Sequence, residues 1–478
     1  MISIGVQELD LATPDVIPVP GKPNLLLGAF DLESLGYRAD EFFVSGSASS
    51  YAPVAGLSAD GRWDAAPSES ADYTTRIVAV TPTDPAKFNG TVIVEWLNVS
   101  GGIDAPALWM MAHREMIREG YAFVGVSAQS VGVEGGGVTM VADFSLKKTD
   151  PERYSSLSHP GDAFSFDIYS QVGRLAREGD STGILGGLRP EHVLAVGESQ
   201  SAMFLTTYIN AVDPIAKTYD GFLVHSRFGP AAPLDGTTIM DASGEATHHV
   251  VPFRADLRVP VIAVITETDL IGDVLPGYHT VTQPDNDLLR VWEIPGAAHA
   301  DNYTIHAAFI DSGTTPIDVL VAAFEPTNHL LGQDLAHNIN FGPQHHYVVQ
   351  AALANLHSWT SDGDPAPAAP RLALSETSPP EFVVDENGIT KGGVRTPWVD
   401  VPVARTSGLI DDGDVMAAIF GSGEMFDAAT LAALYPGGKD DYLARFTKAL
   451  DETITAGFIL AADRAEILEL VAATYPGG

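Results

Sequence analysis

Short apolar runs alternate with segments of helical periodicity through the middle of the chain. Six runs have the apolar and β-branched composition of buried strands, at 91–97, 121–126, 193–196, 221–224, 261–265 and 288–294. Between them, residues 107–119 and 163–177 repeat their apolar positions at helical spacing. Because strands that alternate with helices favour parallel pairing, we predict an α/β fold with a mostly parallel, doubly wound sheet.

The two ends of the chain have a different pattern. Residues 1–70 are rich in Pro, Gly and Ser and predict extended strands and loops that pack on the core. Residues 73–80 predict an early strand, and residues 82–90 a turn that brings strand 91–97 back beside it as a hairpin. We therefore expect a core over 71–315 and a C-terminal extension over 316–478, with helices at 344–359 and 443–458, that walls part of a pocket.

One strand ends in the sequence Gly-Glu-Ser-Gln-Ser, residues 197–201, before a second apolar stretch. A strand, a tight turn with serine at its apex and a helix form a nucleophile elbow, which lifts the serine hydroxyl beside a helix N-terminus. The usual pattern ends in glycine, and Ser201 takes that place because a close approach of strand and helix demands a small residue. Ser199 is the predicted nucleophile, whereas Glu198 is either a second acid or a hydrogen-bonded support.

Acid and base candidates follow in the order Ser, acid, His that α/β-hydrolases use. The strand at 261–265 leads into a turn that carries Glu267 and Asp269, and the strand at 288–294 leads into a small-residue loop with His299. Asp269 suits the turn better, and Glu267 is the alternative acid. His299 alone would be a structural loop histidine, but after a serine and an acid it is the expected general base of a catalytic triad.

Such a triad also needs two donors for the oxyanion. The backbone N–H of Gln200 is one candidate, and the glycine-rich exit of the strand at 91–97 offers Val99 or Ser100 as the second. Residues at other strand ends are expected to line the pocket: Asn98, Gln129 and Arg227.

Several segments resemble bacterial proteins of the Abhydrolase_10 type, which carry an α/β-hydrolase domain. They are VEWLNVSGG at 94–102, VSAQSVGV at 126–133, DPERY at 150–154, HPGDA at 159–163, GAAHAD at 296–301, GGVRTP at 392–397 and the elbow itself. The resemblance covers most of the chain, and elbows of this family often end in serine. It implies an α/β-hydrolase fold and a serine carboxylesterase, but no particular substrate. A lactonase or amidase would use the same triad, and a non-catalytic binding protein is the alternative from another class.

Charge and composition disfavour several partners. The 478 residues include 62 acidic and 26 basic side chains, for a net charge of −36. That charge disfavours nucleic acids and anionic membranes, so a small-molecule ester is the expected partner. No apolar run approaches the roughly 20 residues that span a bilayer, and no signal peptide is visible. Localisation, cytoplasmic or secreted, and oligomeric state stay open.

Metal and cofactor chemistry also lack a signal in the sequence. The chain has no cysteine, so it has neither disulfides nor a Cys-ligated metal. The histidine pairs at 248–249 and 345–346 lack the i, i+4 spacing that puts two ligands on one helix face. Neither a dinucleotide-binding glycine motif nor a phosphate-binding loop motif occurs. We predict no metal and no cofactor.

Overall fold

The computed structural model describes residues 13–136, 142–237, 249–272, 274–410 and 415–476. The strands are β1 (Asp15–Val19), β2 (Tyr37–Pro53), β3 (Ala65–Pro82), β4 (Thr91–Trp96), β5 (Ala122–Val126), β6 (His192–Glu198), β7 (Gly221–His225), β8 (Pro230–Ala231), β9 (His249–Val250), β10 (Val261–Thr266), β11 (Leu289–Ile294), β12 (His329–Leu330), β13 (Gln333–Asp334), β14 (Ala404–Ser407) and β15 (Ser422–Met425). The helices are α1 (Ala107–Arg118), α2 (Ser130–Glu134), α3 (Leu146–Thr149), α4 (Ser165–Glu178), α5 (Gln200–Thr207), α6 (Asp213–Ala216), α7 (Glu267–Ile271), α8 (Ile317–Ala323), α9 (Gln344–Ser361), α10 (Pro397–Asp400), α11 (Val415–Phe420), α12 (Ala428–Leu434), α13 (Gly438–Thr455) and α14 (Arg464–Thr474).

The main sheet has the strand order β1-β2-β3-β5-β4-β6-β7-β10-β11. Its first four strands pair antiparallel, and from β5 onward every pairing is parallel. Every residue of β4, β5, β7 and β10 is buried, as expected when helices cover both faces of a parallel sheet. The predicted α/β fold with a mostly parallel sheet is confirmed.

The predicted hairpin between β3 and β4 is wrong. β3 pairs with β2 and β5, and β4 lies between β5 and β6. The apolar pattern identified each strand correctly, but a strand that is mostly apolar carries no information about which strands flank it. Every residue of β4 is buried, as expected for a strand inside the parallel part of the sheet, and its neighbours there are not its neighbours in sequence.

The N-terminal segment supplies strands to the same sheet, although residues 1–12 of the predicted segment lie outside the described residues. β2 and β3 pair from Tyr37 opposite Pro82 to Pro53 opposite Ala65, with a register shift near Ser49. β3 runs through residue 70, where the predicted N-terminal segment ends. Polar positions are frequent at the outer end of these two strands, which explains why their alternation is weak in the sequence.

Helices cover both faces of the sheet. α4 and α5 pack on one face, with side chains such as Phe166 and Phe204 against Trp96 of β4. α1 and α9 pack on the other face, where Leu353 lies in the core cluster with Ile93. α9 was predicted as part of the C-terminal extension, yet it belongs to this second layer.

Part of the extension forms a separate apolar cluster against α9. α12, α13 and α14 enclose Phe446 and Ile467, and Tyr347 of α9 joins that cluster. The predicted helix at 443–458 corresponds to α13. Among the helices that the structure describes, none combines the length and apolar character required to cross a membrane.

Candidate active site

The elbow has the backbone geometry that its sequence predicts. β6 ends at Glu198 and α5 begins at Gln200, and between them Ser199 has a φ of 56°. A positive φ is uncommon for a residue other than glycine, and its cost is tolerated where the surrounding structure holds it. A Cβ on Gly197 would lie 3.1 Å from the Cβ of Ser201, so the strand and helix approach as closely as expected. The fifth position of the motif must therefore be small.

Ser199, His299 and Asp269 form one hydrogen-bonded line. The Oγ of Ser199 lies 2.8 Å from Nε2 of His299, and Nδ1 of His299 lies 2.6 Å from Oδ1 of Asp269. The other oxygen of Asp269 accepts hydrogen bonds from the backbone N–H and the hydroxyl of Thr266, both at 2.8 Å. The three side chains come from the carboxyl ends of β6, β10 and β11, where parallel sheets place ligand sites.

Glu267, the alternative acid, faces away from the imidazole. Its Oε1 accepts the backbone N–H of Gly296 at 2.7 Å, and its Oε2 accepts the hydroxyl of Ser407 and the N–H of Gly408, both at 2.9 Å. Burial raises the pKa of Glu267 above its ordinary value, although these donors oppose the shift. Of the two carboxylates, Asp269 is the one in contact with His299.

The environment of His299 keeps it basic. Burial alone would lower the pKa of the imidazole, but the charge and hydrogen bond of Asp269, together with the charge of Glu198, raise it above its ordinary value. One face of the ring stacks on Phe228, with 5.2 Å between ring centroids and 28° between planes. Nothing in the sequence indicated Phe228, because it follows β7 in a loop whose path only the fold reveals.

Two of the three oxyanion candidates come together. Gln200 is the first residue of α5, so its N–H has no acceptor within the helix. The N–H of Val99 points at the same residue and donates to its side-chain Oε1 at 3.3 Å. The N–H of Ser100 donates instead to Oδ1 of Asn98 at 2.8 Å. The N–H groups of Val99 and Ser100 therefore both have side-chain acceptors, and the bond from Val99 is the longer of the two.

The three predicted pocket residues have distinct positions. Asn98 donates from Nδ2 to the backbone oxygen of Glu198 at 3.0 Å and to its Oε2 at 3.2 Å, so it joins the elbow to the exit of β4. Gln129 is buried and accepts from the indole of Trp96 at 3.2 Å. The structure therefore brings Asn98 to the elbow and holds Gln129 in the core.

Arg227 is enclosed, not lining an open pocket. Its guanidinium lies 4.5 Å from the ring centroid of Phe253 and donates to the backbone oxygens of Phe228 and Gly229. Burial lowers its pKa to about 10. Its hydrogen bonds support the loop that carries Phe228 beneath the imidazole.

A second group of buried polar side chains lies next to the elbow. His225 ends β7 opposite Glu198, and its Nε2 lies 2.8 Å from Nε2 of His345 on α9. Nδ1 of His345 in turn lies 3.4 Å from Oδ2 of Asp301, two residues beyond His299. Burial lowers the pKa of His225 well below its ordinary value. No sequence pattern indicated this group, because its members come from three distant segments.

Within the described ranges, no group of three or more His, Cys, Asp or Glu side chains has an arrangement that would hold a metal ion. His346 stacks on Tyr303, with 3.7 Å between ring centroids. His249 contacts the ring of Trp63 edge-on, and residue 248 lies outside the described residues.

The C-terminal extension reaches the loops that carry the acid and the base. The hydroxyl of Thr268 accepts the N–H of His299 at 3.1 Å and donates to the oxygen of Gly408 at 2.6 Å. The N–H of Ala300 donates to the oxygen of Ile419 at 3.1 Å. These bonds tie Gly408 and Ile419 to the two loops, which accounts for the position of the extension beside the site.

Comparison with solved structures finds proteins of low sequence identity. One is a provisionally assigned dienelactone hydrolase from Klebsiella pneumoniae, 11% identical over 59% of this chain and 95% of that chain, with a TM-score of 0.28. Another is an esterase from Rhizomucor miehei, 12% identical over 52% of this chain and 78% of that chain, with a TM-score of 0.29. A third is a serine hydrolase without a lid from Xanthomonas campestris, 11% identical over 47% and 80% of the two chains, with a TM-score of 0.28.

No protein with a curated description matches the sequence. The family described as Alpha/beta hydrolase domain, Abhydrolase_10, matches residues 12–469, nearly the whole chain. This match agrees with the sheet order and the elbow, and it confirms the resemblance seen in the motifs. The protein belongs to the Abhydrolase_10 family of alpha/beta hydrolase domain proteins.

Proposed function

We propose that this protein is a serine hydrolase that cleaves carboxylic esters of small molecules through an acyl-enzyme intermediate. The observation that carries the proposal is the line of two hydrogen bonds, 2.8 Å from Ser199 to His299 and 2.6 Å from His299 to Asp269. A serine hydroxyl is a weak nucleophile unless a base accepts its proton, and this line supplies that base.

In the acylation step, Ser199 attacks the ester carbonyl carbon while its proton passes to Nε2 of His299. Asp269 holds the Nδ1–H tautomer and stabilises the imidazolium that forms. The carbonyl oxygen becomes an oxyanion, which the N–H groups of Gln200 and Val99 receive at the N-terminus of α5. For this, the N–H of Val99 exchanges its present acceptor, the side chain of Gln200, for the oxyanion.

Collapse of the tetrahedral intermediate breaks the bond to the alcohol, which takes the proton from Nε2 of His299. Water then attacks the acyl-enzyme, with His299 again as the base, and the second collapse returns the proton to Ser199. Each proton transfer follows a hydrogen bond from Nε2 of His299, either to Ser199, to the leaving alcohol or to the attacking water. The net reaction consumes one water and releases one acid and one alcohol.

The test is hydrolysis of p-nitrophenyl esters, from acetate to a long acyl chain, by the wild type and by Ser199→Ala. We expect kcat/KM to fall at least about 10³-fold in Ser199→Ala, because nucleophile removal leaves only binding and oxyanion stabilisation. Ser201→Ala is the matched control, since it removes a buried hydroxyl two residues away. Hydrolysis that survives in Ser199→Ala would contradict the proposal.

If the folded wild type hydrolyses no ester, labelling with a fluorophosphonate shows whether Ser199 is nevertheless an active nucleophile. Labelling at Ser199 would indicate an active nucleophile with another acyl substrate, a lactone or an amide. No labelling would favour a binding protein built on a hydrolase fold.

A further inference from the structure

Glu198 is a carboxylate inside the proposed active site to which the mechanism so far gives no part. It precedes Ser199, and only 12% of its side chain is exposed. Its Oε1 lies 3.4 Å from Nε2 of His299, the nitrogen that also faces the hydroxyl of Ser199. Asn98 holds the carboxylate in place through hydrogen bonds to its Oε2 and to its backbone oxygen. Nε2 of His299 therefore has two oxygen neighbours, one neutral and one ionisable.

The charged and titratable groups around Glu198 define its behaviour. His299 lies in front of it, with Asp269 beyond the imidazole. His225 of β7 pairs opposite Glu198 in the sheet, and His345 of α9 and Glu95 of β4 act at longer range. In the part of the chain that the structure describes, its ion-pair partner is His299, and neither Lys nor Arg pairs with it. Burial without a permanent cation favours the protonated acid.

The protonation states of Glu198 and His299 together decide whether His299 can act as a base. When Glu198 is ionised and His299 is neutral, the Nε2 lone pair is available to the Ser199 hydroxyl. When Glu198 is protonated, its O–H donates to Nε2 and withholds that lone pair from Ser199. The carboxyl and the imidazole thus share one proton and titrate as a coupled pair.

We propose that Glu198 is a positioning residue that sets the basicity of His299: ionised, it stabilises the imidazolium formed when Ser199 loses its proton, and protonated, it blocks that transfer. The proposal rests on the proposed serine hydrolase function and extends it. No bond to Glu198 forms or breaks in the active state, because the proton moves from Ser199 Oγ to His299 Nε2 and onward to the leaving alcohol.

The transition between the two states lies near neutral pH. Burial raises the pKa of Glu198 to about 7, although the charge of His299 opposes that shift. Glu198→Gln removes the negative charge beside Nε2, so it should lower the pKa of His299 by about one unit. The acid limb of kcat/KM should move to lower pH by the same amount, and kcat on the plateau should fall about tenfold because the imidazolium loses a counter-charge.

The experiment measures His299 directly, by NMR titration of its ring resonances in a Ser199→Ala background, with His299→Gln for assignment. Glu198→Gln and Glu198→Met are compared with the parent, the second because methionine removes the charge without adding a donor. Glu293→Gln is the matched control: burial also raises the pKa of Glu293 to about 7, but its Oε2 accepts the N–H of Leu372 at 2.6 Å and it does not contact His299. The pH profile of ester hydrolysis with Ser199 intact completes the set.

We expect the His299 titration to move to lower pH in both Glu198 variants and to stay unchanged in Glu293→Gln. An unchanged titration in either folded Glu198 variant would overturn the proposal and leave Glu198 as a hydrogen-bonded support of Asn98. Because the titration needs no substrate, it tests the role of Glu198 separately from the proposed esterase function. A shifted titration in a protein that hydrolyses no ester would refute the proposed function alone, whereas ester hydrolysis with an unmoved titration would refute the role of Glu198 alone.

Discussion

The buried carboxylates Asp269 and Glu267 should respond differently when each is replaced by its amide. Asp269→Asn removes the charge that faces His299 while the side chain keeps its shape. An amide must present its NH₂ group either to Nδ1 of His299 or to the two donors of Thr266, so it disfavours the required imidazole tautomer. We expect kcat to fall about 10⁴-fold, the loss typical when a triad acid becomes an amide.

Glu267→Gln should instead affect stability. The carboxylate receives hydrogen bonds from Gly296, Ser407 and Gly408 at 2.7–2.9 Å. An amide nitrogen cannot accept, so at least one buried N–H would lose its partner. Because a hydrogen bond to a charged group contributes about 1.5–3 kcal/mol, the free energy of unfolding should fall by about 3 kcal/mol. The folded fraction should keep its kcat within about tenfold, because Glu267 does not touch the imidazole.

Urea denaturation and ester hydrolysis give both quantities when they are measured on the same preparations at one pH. The reasoning predicts a crossed result, with activity lost in one variant and stability lost in the other. If Glu267→Gln abolished activity at unchanged stability while Asp269→Asn remained active, the assignment of the acid from the hydrogen bonds would be refuted.

Three further changes test the packing around the site. Ser201→Ala removes a buried hydroxyl that has no hydrogen-bond partner among the described residues, so the free energy of unfolding should rise by about 1 kcal/mol in urea denaturation, and a fall would count against this. Gly408→Ala would put a Cβ 2.6 Å from the oxygen of Ala297 and from the backbone nitrogen of Thr268; we expect about 1–3 kcal/mol of lost stability and a lower kcat, and wild-type values for both would contradict the predicted clash. Burial raises the pKa of Glu95 from 4.5 to about 8, so the native state holds more protons than the unfolded state in that window, and stability falls as pH rises through it. Glu95→Gln should flatten this slope between about pH 5 and pH 8, and parallel slopes for variant and wild type would refute the shift.

The parts of the site that local sequence determines were predictable. Ser199 could be identified because a strand, a turn with positive φ and a helix must all be encoded within a few residues. His299 followed from its loop after a strand and from its order in the chain. The small residue at 201 has a local cause as well, the close approach to Gly197.

Features that depend on distant segments were not predictable. The choice between Asp269 and Glu267 depends on Ser407 and Gly408, which bind Glu267 and lie 140 and 141 residues after it. The neighbours of β4 depend on the order of the whole sheet, and the contact of Phe228 with His299 depends on the path of a loop. A pattern of apolar positions identifies elements, but it does not identify which elements meet.

The bonds from Gly408 and Ile419 to the acid and base loops have a consequence for biosynthesis. A ribosome that has translated as far as residue 315 has already made Ser199, Asp269 and His299, yet Glu267 and Thr268 still lack Gly408 as their partner. α9, which covers one face of the sheet, has not been made either. The nascent chain therefore carries every proposed catalytic group before it can hold them in register, and the finished site should form only after Gly408 and Ile419 have been translated.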